Sequence, residues 1–316
     1  MLFRSRVALF PRKELLFYDI DAHSHERVHQ RLRVVSRLLA NRSLIVVTSM
    51  DAISDAILSR QMLEEYQTSF SVGEELSLEK VAERMSGAGY ERVSMVEAEG
   101  QFSIRGGILD VFSPDMDNPV RVEFFDTMVD SIRSFDFKTQ RSLEVLENVD
   151  INPARDLLTP KEVKLAAERI SKDLELYLKS SGKEARALAE SKFGKYIEHL
   201  EEGVHIPNRD ILIPYLGSEA VSDIFGHIAM DAIVFVDEPR RLREAAESGE
   251  AHFDGWVSDL FQAGEVLKSH FDSKLRFEDF VDKAKNHTCI TSAAFLKQDS
   301  DFPPKAIHQL VCRQMT

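Results

Sequence analysis

Cysteine is scarce, with only Cys289 and Cys312 in 316 residues. That excludes a disulfide framework and fits a reducing compartment. Long apolar runs are missing too: none approaches the ~18 residues needed to span a bilayer. The N-terminal stretch MLFRSRVALFPRKELLFYD has a basic start but neither a long apolar segment nor a small-residue cleavage site, so it makes a poor signal peptide. The expectation is a soluble, cytoplasmic protein with no membrane partner. Basic residues are outnumbered, 40 Lys and Arg against 53 Asp and Glu, for a net charge of −13. Such a surface is not built mainly to neutralise phosphates, although a local basic patch remains compatible with it. The phosphate-cradling loop GxxxxGK[ST] is also absent. Its nearest string, Ser181-Gly182-Lys183-Glu184, lacks the first glycine at the right distance and the Mg²⁺-binding hydroxyl.

What is present divides the chain into three zones. Residues 1–66 read as α/β. Ser24–Ala40 carries Val28, Leu32, Val35, Leu38 and Leu39 at helical spacing with Ser24 as N-cap. A β-branched run at Leu44–Val47 and a helical stretch at Asp51–Leu58 follow. Helix, buried strand, helix is the order of a parallel α/β sheet. With one clear strand and no Gly-rich first turn, the zone reads as part of a domain whose start is missing. Residues 67–153 change character: a helix at Ser77–Met85, then strand signals at Arg92–Glu97, Gln101–Arg105, Ile108–Phe112, Val120–Phe125 and Met128–Phe135. Turn residues between them predict an antiparallel meander, and one helix on one face makes a small α+β module. Residues 154–316 are mostly helical, with helices over Lys161–Lys179 and Glu184–Leu200 and a buried-strand run, AIVFV, at 232–236.

Three clusters invite chemistry. Asp237-Glu238 after AIVFV resembles the acidic motif of P-loop NTPases, in which an Asp reaches Mg²⁺ and a Glu the attacking water. Without a phosphate loop nothing holds the β- and γ-phosphates, and a vestigial NTPase-like sheet is the better reading. His23, His25 and His29 form an HxHxxxH string, but no cysteine or suitably spaced carboxylate completes a ligand set; the acids nearby suit a solvated helix N-terminus. The two cysteines carry no activating motif. No catalytic residue and no metal site are therefore assigned.

The informative constellation lies in the middle zone. Period-2 alternation in VRVEFF turns Val120, Val122 and Phe124 to a core and Arg121, Glu123 and Phe125 outward. Applied to QFSIR, it turns Phe102 and Ile104 inward and Ser103 and Arg105 outward. Arg105, Arg121 and Phe125 then share an outer face of residue types enriched in interface hot spots. The alternative is that Phe125 lies beneath the Pro114–Pro119 loop or a helix while the arginines pair with Glu123 and Asp130. Residues alone leave both open. A two-residue turn at Asp126-Thr127 also sets Glu123 opposite Asp130, a like-charge pair that calls for a different register or an intervening arginine.

GYERVSMVEAEGQFSIRGGILDVFSP followed by NPVRVEFFDTMVDSIRSFDFKTQRSL closely resembles the UvrB-homologous N-terminal region of the bacterial transcription-repair coupling factors (Mfd). ALFPRKELLFYD, the QRL helix and AIVFVDEPRRL extend the resemblance collinearly. UvrB itself shares the RG…D string, but the tyrosine-rich hairpin it carries has no counterpart between Ala8 and Gln67. The resemblance implies an incomplete P-loop NTPase-like α/β domain (1–66 and 154–316) interrupted by a UvrA-interaction module (67–153). It implies that the NTPase-like part has lost ATPase function. It also implies partner contacts at Arg105, Arg121 and Phe125 by motif-to-motif matching. RNA polymerase, duplex DNA, the family's own C-terminal domain, and the ATP and Mg²⁺ of its motor belong to regions beyond these residues. The expected function is a non-catalytic adaptor that recruits UvrA; the alternative is an ATP-dependent DNA-remodelling enzyme using Asp237-Glu238.

Overall fold

A computed structural model describes residues 6–13, 25–40, 43–154, 160–202, 206, 209–294, 300–303 and 306. The first zone contains strand β1 (Val7–Phe10), helix α1 (His25–Leu39), β2 (Ile45–Thr48), α2 (Met50–Ile53), β3 (Ile57–Leu58) and α3 (Arg60–Tyr66). The middle zone runs through β4 (Thr68–Ser71), α4 (Leu78–Gly87), β5 (Glu91–Arg92), β6 (Gln101–Arg105), β7 (Ile108–Phe112), β8 (Val120–Phe125), β9 (Met128–Phe135), β10 (Ser142–Leu146) and β11 (Asn148–Ile151). The third holds α5 (Pro160–Ser180), α6 (Lys183–Glu201), β12 (Val221–Ser222), β13 (Ile233–Asp237), α7 (Pro239–Ala263), α8 (Phe277–Lys285) and β14 (Thr288–Ser292).

The protein is mixed α/β, but among the described residues β1–β2 and β13–β14 do not join into one parallel sheet. β1 pairs with β2 and β13 with β14, each as a separate parallel two-stranded unit. Two runs expected to be buried strands are open on one face: Ile45 and Val47 of β2 are exposed beside Val7 and Leu9 of β1, and Ile233 and Phe235 of β13 beside Ile290 of β14. Apolar composition marks a strand as suited to burial, but what covers it is a matter of neighbouring elements. The helix expected over Asp51–Leu58 stops at Ser54. Asp55 is drawn inside between Arg31 (3.8 Å) and Lys274 (3.3 Å), and Ile57 and Leu58 turn into a strand paired with β12. The Ser24 N-cap lies outside the described residues. Where caps are described, Ser49 and Ser59 fill the role through side-chain bonds to Ala52 N–H and Met62 N–H.

The middle zone is a six-stranded sheet in the order β10-β9-β8-β7-β6-β5. β6 through β9 follow the expected meander, and β10 extends it antiparallel. The expected strand at Arg92–Glu97 shrinks to Glu91–Arg92 and runs parallel to β6. Beyond it, the Gln101 side chain takes the Glu97 and Ala98 N–H groups and the Ser94 carbonyl accepts from Ser103 Oγ. Side-chain capture of backbone donors and acceptors replaces the ladder there. The same segment buries Ser103, which alternation alone placed outward. One face of the sheet packs Phe102, Leu109, Val111, Val122, Val129 and Ile132 against Val81 and Met85 of α4 and against Phe70 and Val149 of the β4–β11 pair. That leaves the opposite face for other work.

Gly107 shows how tightly this sheet is closed. Its carbonyl accepts the Phe124 N–H at 2.7 Å, and a Cβ built on it lies 2.7 Å from the Phe124 carbonyl oxygen. A backbone atom cannot swing aside, so Gly107→Ala is expected to cost about 2 kcal/mol or more. Urea midpoints of the two proteins check this; equal midpoints would show that the β6–β7 turn yields freely.

Helices α5, α6 and α7 form a separate core around Phe193, Leu212, Tyr215 and Val257. The periodic residues Ala166, Ile170 and Leu174 of α5 point into it, as their spacing predicts.

Candidate protein-docking face

On the face of the six-stranded sheet away from α4, register aligns two rows of side chains. Ser103, Asp110, Arg121 and Arg133 are cross-strand neighbours in one; Arg105, Ile108, Glu123 and Ser131 in the next. Asp110 is the centre of the first row. The residue is 1% exposed, and its carboxylate accepts from Arg121 Nε at 2.6 Å, Arg121 Nη2 at 2.9 Å and Arg105 Nη2 at 2.9 Å. A buried carboxylate needs such charge-assisted partners. The hydrogen bonds to Asp110 in turn hold the Arg121 pKa above its ordinary value. Arg121 also donates to Gln140 Oε1 at 3.1 Å and lies over the Phe135 ring at 4.6 Å. It is therefore fixed on three sides. Arg105 is different: its side chain is 51% exposed, against 19% for Arg121.

Arg121 and Arg133 face one another directly, which would be repulsive if both pointed straight out. They turn apart, Arg121 to Asp110 and Arg133 to Glu123 at 2.8 Å, with Ser131 completing the second group. The expected clash of Glu123 with Asp130 does not arise. A β-bulge shifts the register between Glu123 and Phe124, leaving Asp130 unpaired and setting Glu123 against Ser131.

Phe125 ends β8 on this outer face and is 74% exposed. It does not lie under the Pro114–Pro119 loop or a helix. Its cross-strand partner is Met128, also exposed, with Asp126 at φ 58 making the turn between them. The structure thus brings Arg105 and Arg121 together through one carboxylate and places Phe125 further along the same face. The pairing of the arginines with Glu123 and Asp130 gives way to Asp110. Sequence reasoning missed Asp110, Met128 and Arg133. An acid inside the apolar run ILDVF was the available signal, because a buried carboxylate requires a cation nearby.

The other sequence-derived candidates lie elsewhere. Asp237 accepts from Ser292 Oγ, and Glu238 Oε1 accepts the Ala294 N–H at 2.7 Å. Both carboxylates are thus turned to the end of β14. Glu238 begins α7 with φ 47. His29 faces Glu99 at 3.3 Å; His23 and the His25 side chain lie outside the described residues, as does Cys312. Among the described residues no three His, Cys, Asp or Glu side chains are arranged to hold a metal ion, and no helix is long and apolar enough to cross a membrane.

Residues 68–157, which include this sheet, match the UvrB interaction domain. Over 313 residues, 98% of its length, the chain is 32% identical to the transcription-repair-coupling factor of Bacillus subtilis strain 168, an alignment that covers 26% of the relative. The transcription-repair-coupling factors of Staphylococcus aureus strains RF122/ET3-1 and MSSA476 are each 28% identical over 279 residues, 86% of this chain and 23% of theirs. The chain is homologous to a part of these proteins and spans about a quarter of their length.

Proposed function

We propose that the 67–153 module docks UvrA, and that this chain acts as a non-catalytic adaptor in coupling stalled transcription to nucleotide excision repair. The observation that carries the reading is the outer sheet face, where Arg105 and Phe125 are offered to solvent while Arg121 is braced behind them. An exposed aromatic beside guanidinium groups suits an interface centre. The match to the UvrB interaction domain and the similarity to transcription-repair-coupling factors support it. On this reading β1–β2 and β13–β14 are remnants of an NTPase-like sheet. RNA polymerase, duplex DNA, the C-terminal domain and the ATP and Mg²⁺ of a motor are partners and cofactors of the longer family proteins, met through regions outside this chain.

The rival, an ATP-dependent DNA-remodelling enzyme using Asp237-Glu238, is disfavoured because Ser292 and the Ala294 N–H already engage the two carboxylates. Titrating purified UvrA onto the chain and assaying ATP turnover on the same sample separates the two. Saturable UvrA binding without turnover is the expected result. Turnover abolished by Asp237→Ala, with no UvrA binding, would replace the adaptor reading with the enzymatic one.

A further inference from the structure

Asp110 touches no solvent to speak of, yet it joins the two arginines of the exposed face. We infer that Asp110 is a positioning residue that aims Arg105 outward, and that Met128 joins Arg105 and Phe125 in the surface a partner meets. This rests on the reading that the face docks UvrA, and it names the chemistry of that contact.

Asp110 carries one negative charge between two guanidinium groups, so the cluster keeps a net positive charge. Arg121 gives Asp110 two bonds, Gln140 one, and covers Phe135 with its face. Arg105 gives Asp110 a single bond through Nη2, and its guanidinium makes no other hydrogen bond among the described residues. Its remaining N–H groups are free to meet a carboxylate, and the bond to Asp110 limits the directions they can take. A guanidinium already held in place loses less side-chain freedom when it binds.

Met128 lies directly across from Phe125, so the two side chains form a cross-strand apolar pair at the end of the β8–β9 hairpin. Arg105 lies two strands from Glu123, and Phe125 two residues beyond it along β8. Strand spacing and rise put the Arg105 and Phe125 backbones about 12 Å apart. The fitting partner surface therefore presents a carboxylate at that distance from an apolar recess wide enough for a phenyl ring and a thioether. Sulfur–aromatic contact suits such an adaptable anchor.

The test is calorimetric titration of UvrA onto the whole chain and its variants. Asp110→Asn is expected to weaken binding about tenfold in the wild-type background but less than twofold when Arg105 is already alanine. Non-additivity of this kind reports that one residue acts through the other, which general loosening of the module would not produce. Met128→Ser, an exposed change, is expected to weaken binding about fivefold with an unchanged melting temperature. If Asp110→Asn shows no cooperative melt, Arg121→Lys in the wild-type and Arg105→Ala backgrounds carries the same test, because lysine keeps the charge and loses the two-pronged hold on Asp110. Equal losses in both backgrounds, or wild-type affinity in Arg121→Lys and Met128→Ser, would overturn the inference. Absence of UvrA binding by the wild-type chain would instead overturn the docking reading beneath it.

Discussion

Phe125→Ala is expected to weaken UvrA binding by about 2 kcal/mol, a ~30-fold rise in Kd, while the melting temperature stays unchanged. The two halves of that expectation have separate causes. Phe125 is 74% exposed and contributes little to folding, and surface changes of this kind usually move stability by less than ~0.5 kcal/mol. Its loss in the complex, by contrast, removes a large apolar side chain from what becomes a desolvated contact. Arg121→Ala is expected to weaken binding by a similar amount through a different route. It leaves Asp110 buried with only Arg105 beside it, so its melting temperature should fall as well. Titration calorimetry paired with thermal melts distinguishes the two behaviours. Wild-type affinity in the Phe125→Ala, Arg121→Ala double variant would end the case for this face.

Between pH 7.5 and pH 5, acidification is expected to remove about 4 kcal/mol of stability through two buried rings, before the opposing contribution of Asp55. Two histidines are responsible. His270 is enclosed by Phe193 and Tyr215, with Nε2 3.1 Å from the Ile211 carbonyl oxygen. Burial pushes its pKa down to about 4, against the pull of nearby Asp173. His227 is equally enclosed, near Arg60 and Asp223, and burial lowers it to about 4 as well. The unfolded chain takes up protons on both rings as pH falls through ~6.5, and the folded chain does so only near 4, so the unfolded state gains throughout that window. At pH 5 the difference is about 2 kcal/mol per ring. Asp55 opposes this: burial raises its pKa, so its protonation on acidification favours the folded state. Urea melts at pH 7.5 and 5 measure the net effect. His227→Phe is expected to halve it, because it removes one of the two rings that stay neutral in the fold. A midpoint independent of pH would show that these rings are not held neutral in the fold.

The outer sheet face was legible in outline because β6 through β9 are bounded by turn residues and alternate cleanly. Gly106-Gly107 and Asp126-Thr127 set the hairpins, and Val120, Val122 and Phe124 fixed which side of β8 meets the core. The bulge at Asp130 was signalled only as a conflict, since two acids facing each other cost energy that one extra residue removes. Asp110 was hidden because ILDVF reads as a buried run, and alternation says where a side chain points without saying which charge waits there. The strands β4 and β11 escaped notice for a related reason: TSFS and NVDI are short and half polar, and their pairing joins residues about 80 apart in the chain.

What the chain's own residues determined is the local order of this module: helix, hairpin, hairpin, and the side of β8 that carries Phe125 and Arg121. Periodicity decides that much, because a strand's side chains must alternate. Only the tertiary structure decided which charges meet and which apolar strands stay open. Arg105, Asp110 and Arg121 sit on three different strands, so their contact depends on register across the sheet, and the bare faces of β2 and β13 depend on which elements pack beside them.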